Sequence, residues 1–334
     1  HDVMNGSMIR YVLSHIVRIE GLLLFLPCLV ALIYREQQGG IYAGLGLICI
    51  LLGSFLGMRR PQNNTFYLKE GCITTALSWL VLSAIGALPF VITGEIPDYT
   101  NALFETISGF TTTGSSILSD VEALSHTSLF WRSFTHWVGG MGILVFMLAI
   151  IPMVGGSPIN LMRAESPGPE VDKTMPKMRQ SAGLLYIIYA VLTLAQIILL
   201  VLSRMPVFDA ICLSLGTAGT GGFGILNSSV GSYHVLSQWI ITIFMILFGI
   251  NFNFYYFLAD KKARKALAME EVRVYLGIVL LAVLVVTVNI LPMTAGLFDA
   301  LTKSAFQVGS IITTTGYSTA DFGLWPKLSQ AILV

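Results

Sequence analysis

The sequence predicts an all-α membrane protein assembled from repeated helix–loop–helix units, and two observations carry that prediction. Apolar residues make up 55% of the chain and charged residues only 11%, at a mean hydropathy of +0.78. A soluble domain carries about 25% charged residues, so most of this chain lies in lipid. The second observation is a short polar pattern, threonine followed by glycine, set three times between long apolar stretches. It reads Thr111-Thr112-Thr113-Gly114, then Gly219-Thr220-Gly221-Gly222-Phe223, then Thr313-Thr314-Thr315-Gly316-Tyr317.

A hydrocarbon core of roughly 30 Å takes about 20 apolar residues per helix. Such stretches lie near residues 16–34, 40–57, 71–93, 127–152, 181–203, 235–258 and 272–292. An eighth begins near Lys327 and runs to Val334, too short to cross, so the chain is expected to stop inside a span. Residues 1–7 read as the remnant of a purification tag ahead of a natural start at Met8. Cys28, Cys49, Cys72 and Cys212 show neither CxxC spacing nor pairing with histidine, and read as small packing residues.

Orientation follows from lysine and arginine, which favour cytoplasmic loops. One set of connections carries Arg10 and Arg18, then Arg59, Arg60 and Lys69, then Arg163, Lys173, Lys177 and Arg179, then Lys261, Lys262, Arg264, Lys265 and Arg273. The other carries Arg35, Arg204 and Lys303. All three Thr/Gly segments are therefore expected to enter from the outer face. The Lys261–Lys265 cluster reads as an anchor on anionic lipid, at about 1 kcal/mol per charge, or as a docking surface for a cytoplasmic regulator. The 153–180 loop has a similar claim, and neither segment suggests nucleic-acid recognition.

Aligned on their glycines, the units share one order: a span, a short helix opened near Asp98, Asp209 or Asp299, the Thr/Gly segment, and a second span. The glycines recur at intervals of about a hundred residues, as hairpin units stacked around an axis would require. Each aspartate is expected to N-cap a half-helix whose C-terminal end points into the membrane.

These residue types suit a cation path. An ion stripped of water needs a replacement shell of oxygens, which a ring of backbone carbonyls supplies. Glycine tolerates the positive φ that aims successive carbonyls one way. Threonine adds a hydroxyl oxygen, and the helix ends add partial negative charge. Irregular backbone at membrane depth is tolerated only where it is buried in protein or lines water. The candidate filter residues are Thr112, Thr113, Gly114, Thr220, Gly221, Gly222, Thr314, Thr315 and Gly316.

Other polar residues receive plainer readings. Glu105 is expected to brace the first filter, and Arg132 to snorkel to the interface. Lys303 is expected against a carboxylate or a headgroup. Asn251 and Asn253 read equally as interhelical hydrogen-bonding residues or as lining for an inner cavity. Gly139, Gly140 and Gly142 are expected to permit close helix packing, and His136 to be a packing histidine. Gly219–Gly224 satisfies GxGxxG, yet it lacks the preceding strand of a dinucleotide site. Phe223 pairs better with Tyr317, as aromatics packed behind their loops. The chain has no HExxH and no GxSxG, and an enzyme is not expected.

The span, pore helix, Thr-Thr-Gly loop and second span, with Trp137-Val138-Gly139-Gly140-Met141-Gly142 after the first segment and Thr315-Gly316-Tyr317-Ser318-Thr319-Ala320-Asp321 at the third, resemble the Trk/Ktr/HKT potassium transporter superfamily. The bacterial TrkH/TrkG branch is the nearest in pattern. The resemblance implies helix–pore loop–helix units around a pseudo-fourfold pore, two extra N-terminal transmembrane helices, and potassium bound in the filter. It also implies a cytoplasmic TrkA-type nucleotide-binding ring as regulator, a homodimer, and placement in the bacterial inner membrane. Glycine at position 114, where sodium-favouring relatives carry serine, points to potassium. The implied division is 8–60 for the leading helices, 61–160, 161–262 and 263–334 for three pore repeats, with the last incomplete. A fourth repeat and the glycine-rich gate loop of the third are expected to be absent from this chain. The alternative is a secondary transporter of another solute, bound at broken helices.

Overall fold

A computed structural model describes residues 4–63, 68–142 and 178–334. The described residues divide into two compact units: those within 1–111, 115–119 and 123–183 make the first, and those within 112–114, 120–122 and 184–334 the second.

The first unit contains α1 (Gly6–Leu23), α2 (Phe25–Tyr34), α3 (Gln38–Leu56), α4 (Leu68–Ile92), α5 (Tyr99–Phe110) and α6 (His126–Gly140). α1 starts at Gly6, inside the segment read as a tag remnant, and the Asn5 side chain caps it by accepting from the Met8 N–H at 3.2 Å. On α3, Gly39, Gly46 and Gly53 recur every seventh residue and share the buried face with Tyr42 and Cys49. Leu47, Ile48, Leu51 and Phe55 stand exposed, as lipid-facing residues do. A Cβ on Gly21 of α1 would lie 2.7 Å from the Gly46 oxygen, and one on Gly46 would lie 2.7 Å from the Gly21 oxygen. Two backbones meet there with no side chain between them, the means by which helices pack in lipid without a hydrophobic driving force. Gly46→Val is expected to lower the apparent Tm of the detergent-solubilised protein by several degrees. Gly40→Val, with nothing within 4 Å of its Cβ position, should leave it unchanged.

The N-terminus of α6 is held by two carboxylates. Glu36 accepts from the N–H groups of His126 (3.0 Å) and Thr127 (2.9 Å), and Glu95 from the Ser125 N–H (2.8 Å) and the Ser128 hydroxyl. Negative charge at a helix N-terminus satisfies orphan donors and opposes the helix dipole.

The second unit contains residues 184–202 of α7 (Met178–Leu202), then α8 (Val207–Ala218), α9 (Val235–Phe248), α10 (Phe252–Ala259), α11 (Ala263–Ala268), α12 (Glu270–Ile290), α13 (Leu297–Ile312) and α14 (Lys327–Leu333). One core gathers Leu200, Leu213, Ile241, Met245, Phe306 and Tyr317; a second gathers Val279, Val283, Val286, Ala300, Val308 and Trp325. Gln238 of α9 and Gln330 of α14 play matching parts. Each donates its amide to two carbonyls of the loop ahead of its own helix: Gly231 and Tyr233 for one, Gly323 and Trp325 for the other.

Five helices among the described residues are long and apolar enough to cross a membrane: Gly6–Tyr34, Gln38–Leu56, Lys69–Ile92, Gly183–Leu202 and Glu270–Met293. The span expected over 235–258 is instead broken, with α9 and α10 meeting at 87°. Gly249 ends α9, and Asn251 caps α10 through the Asn253 N–H at 3.0 Å. The Ile246 carbonyl accepts from the Tyr275 hydroxyl (3.1 Å), and the Leu247 carbonyl from both the Tyr255 hydroxyl (2.5 Å) and the Ile250 N–H (3.2 Å). A Cβ on Gly249 would reach to 2.7 Å from the Thr313 methyl. Residues 143–152 of the expected 127–152 span, and residues 153–177 of the 153–180 loop with Arg163, Lys173 and Lys177, lie outside the described residues, while 178–180 begin the helix Met178–Leu202.

Candidate functional site

Three helices, α5, α8 and α13, each end in one turn geometry. A right-handed or near-helical cap residue (Thr111, Gly219, Thr313) is followed by a threonine at positive φ, a residue at negative φ, and a glycine at positive φ. The threonines are Thr112 (φ 55), Thr220 (φ 52) and Thr314 (φ 59), and the glycines are Gly114 (φ 78), Gly222 (φ 83) and Gly316 (φ 90). A β-branched residue at positive φ is an outlier worth about 1–3 kcal/mol of strain. The three outliers fall at equivalent positions of the three turns.

Alternating the sign of φ turns successive peptide planes over, gathering N–H groups on one side and carbonyls on the other. Several N–H groups return to their own helix ends: Thr220 to the Thr217 oxygen (3.0 Å), Gly221 to Gly216 (3.0 Å) and Thr314 to Ile311 (3.0 Å). The carbonyls are thereby left to face elsewhere.

Residues 112–114 belong to the same compact unit as the other two turns, and the structure brings the three together. A Cβ on Gly114 would fall inside the Gly221 carbonyl oxygen and 3.7 Å from that of Thr315. A Cβ on Gly222 would fall inside the Thr315 oxygen. Only glycine fits at 114 and 222, on two counts: the hand of the backbone and the oxygen beside it. The second and third turns also close the C-termini of α8 and α13, so the partial negative charge of these two helix dipoles collects there.

Packing behind the turns fixes them. Tyr317 is fully buried, its hydroxyl donating to the Leu213 oxygen of α8 at 3.0 Å, and its carbonyl accepts from Ser310 at 2.6 Å. Gln196 of α7 donates to Thr217 at 3.0 Å. The Thr313 and Thr315 hydroxyls lie 2.7 Å apart. Phe223 is as buried as Tyr317, which agrees with the pairing read from the sequence.

In the first unit, Glu105 braces the end of α5. It accepts from Arg132 Nε (2.6 Å), the Ser116 hydroxyl (2.8 Å) and the Ile117 N–H (2.9 Å). Arg132 does not snorkel, because the side chains of both partners are almost wholly buried and the carboxylate supplies the countercharge. His136 donates from Nδ1 to the Gly109 carbonyl at 2.8 Å, and Gly139 lies flush against the Phe110 carbonyl, so α6 closes on the last turn of α5.

Of the three aspartates expected to cap the half-helices, Asp98 does so, accepting from the Thr100 N–H at 2.8 Å. Asp209 and Asp299 lie inside the first turns of α8 and α13, whose N-caps are Pro206 and Gly296. Asp209 accepts from the Tyr233 hydroxyl at 2.8 Å. Asp299 pairs with Lys303 at 3.0 Å, which seats that lysine against a carboxylate. Partial burial pushes the Asp299 carboxyl upward, yet the hydrogen bonds from Lys303 and the Ala295 N–H, with the lysine charge, hold it below its ordinary value.

Several helices long and apolar enough to cross a membrane define the class as a multi-pass membrane protein. The family described as TrkH, cation transport protein, matches residues 42–334. The Trk system potassium uptake protein TrkH of Salmonella typhimurium is 35% identical over 336 residues, covering 96% of this chain and 69% of that protein. TrkG of Escherichia coli K12, named the same way, is 30% identical over 343 residues, covering 99% and 70%. The crystal structure of the potassium transporter TrkH from Vibrio parahaemolyticus matches at a TM-score of 0.84 and 28% identity, over 99% of this chain and 69% of that one. The chain belongs to the TrkH family of cation transport proteins, a family of transporters and not of enzymes.

Proposed function

We propose that this protein takes up potassium across the bacterial inner membrane, through a filter in which Thr112, Thr113, Gly114, Thr220, Gly221, Gly222, Thr314, Thr315 and Gly316 present oxygens to the dehydrated ion. The observation that carries this reading is the threefold turn geometry, with glycine at 114 and 222 pressed against carbonyl oxygens of the next turn. Carbonyl rings of this kind replace a hydration shell. The potassium uptake named for the relatives supports the choice of ion. The pseudo-fourfold closure drawn from the family resemblance sets a fourth turn against Gly316, as turn 2 sits against Gly114. Residues 61–160, 161–262 and 263–334 are then three quadrants, with 8–60 a peripheral pair of helices. A TrkA-type ring gating the pore, and a homodimer with one pore per protomer, complete the reading; the naming of the relatives as parts of a Trk system supports the first.

Gly114→Ser is the direct test. In an uptake-deficient cell it should lower rubidium influx relative to sodium, because a side chain at that position must displace the Gly221 oxygen. An unchanged rubidium-to-sodium ratio would remove Gly114 from the ion path.

A further inference from the structure

Asn227 lies between the second turn and α9, and it uses its whole amide on the segment that follows the first turn. Its Oδ1 accepts from the Val121 N–H at 2.9 Å. Its Nδ2 donates to Asp120 Oδ1 at 2.9 Å and to Glu122 Oε2 at 2.8 Å. All four residues share one compact unit with the three turns. The Glu122 N–H also reaches Asp120 Oδ1 at 3.2 Å, so the acidic segment is folded around the amide. An amide is the planar side chain that offers two donors and an acceptor together, which is what two carboxylates and a backbone N–H require.

The second and third turns are joined differently. Val230 donates its N–H to the Ser318 carbonyl at 3.1 Å, and the Ser318 N–H reaches Ser229 Oγ at 3.3 Å. The Tyr317 hydroxyl adds its wedge against α8. Main-chain groups carry much of that junction, whereas between the segments after turns 1 and 2 the Asn227 side chain supplies three hydrogen bonds.

We propose that Asn227 is a positioning residue for ion selection: its amide clasps residues 120–122 and so sets the approach of Gly114 to the Gly221 carbonyl. The inference rests on the reading of the three turns as an ion path. Selection by a carbonyl ring depends on the number and placement of its oxygens, and a clasp that fixes two neighbouring turns acts on placement. Its loss changes which ion is preferred more than how fast ions pass.

Asn227→Asp tests this, since it keeps the shape and the acceptor but turns an oxygen toward two carboxylates. In the full-length transporter reconstituted in vesicles, it should lower the rubidium-to-sodium flux ratio several-fold with the maximal rubidium rate nearly unchanged. Adding Asp120→Asn and Glu122→Gln, whose amides donate back to the new carboxylate, should restore the ratio. A wild-type ratio in Asn227→Asp, or no recovery in the triple variant, would overturn the clasp. Should Asn227→Asp fail to fold, Asn227→Ser, which also loses the two-donor amide, must lower the ratio for the clasp to stand. Gly114→Ser run alongside separates the two readings. If it shifts the ratio and Asn227→Asp does not, the clasp alone is lost; if neither does, the filter reading falls.

Discussion

Glu105→Ala should remove most of the folded protein. It leaves the Arg132 guanidinium buried without its carboxylate, and stranding one member of a buried pair costs about 3–5 kcal/mol. Total stability is itself about 5–15 kcal/mol. The Ser116 hydroxyl and the Ile117 N–H lose an acceptor in the same step. Replacing both charged residues by methionine should recover folded material, because an apolar pair of similar volume carries no desolvation penalty. Uptake should stay depressed in that double variant, since the segment after turn 1 is still unbraced. Size-exclusion yield in detergent measures the first effect and rubidium influx the second. A Glu105→Ala protein that matches wild type in yield and melting would show that the pair does not carry the end of α5.

Gly222→Ala should abolish uptake. The added methyl falls inside the Thr315 carbonyl oxygen, and the backbone there has φ +83. The left-handed backbone alone costs about 1–2 kcal/mol. Gly94→Ala isolates that part, since Gly94 has φ +77 with nothing within 4 Å of its Cβ position. Gly94→Ala should lose a few degrees of Tm and keep transport. Equal transport in the two variants would mean that the approach of turn 2 to turn 3 is irrelevant to conduction.

Much of the fold was legible because lipid imposes a simple rule on composition. The five long apolar helices fall where hydropathy places them, within a few residues at most ends, save that the first begins at Gly6 and not near residue 16. The break at residues 249–251 is marked only by Gly249 and the capping residue Asn251, and the apolar residues Phe248, Ile250 and Phe252 around them read as one continuous span. Tertiary contacts accompany it: the Tyr275 hydroxyl bonds the Ile246 carbonyl, and the Tyr255 hydroxyl joins the Ile250 N–H on that of Leu247. Arg132 was misread because snorkelling is the default for an arginine near a span end, and a buried partner 27 residues away has no sequence signature. Asp209 and Asp299 suit N-caps by residue type and by place ahead of their Thr/Gly segments, yet each sits within the first turn of its helix, where an acidic side chain is also favoured. Gln238 and Gln330 were missed, although each falls four residues after its helix N-cap; aligning the helices that follow the turns would have found them. Glycine at 114 and 222 was legible because positive φ and a carbonyl oxygen at the Cβ position leave so few alternatives to it.

The bend between α9 and α10 contains no proline. A proline kink is permanent, because the missing N–H cannot be restored. Here the Ile246 and Leu247 oxygens have two sets of suitors: those that hold them now, the Tyr275 and Tyr255 phenols with the Ile250 N–H on Leu247, and the main-chain N–H groups four residues onward that would claim them in a straight rod. Swapping one set for the other breaks no covalent rule and strands no acceptor, so the segment beneath Thr313 is chemically free to exist in two forms.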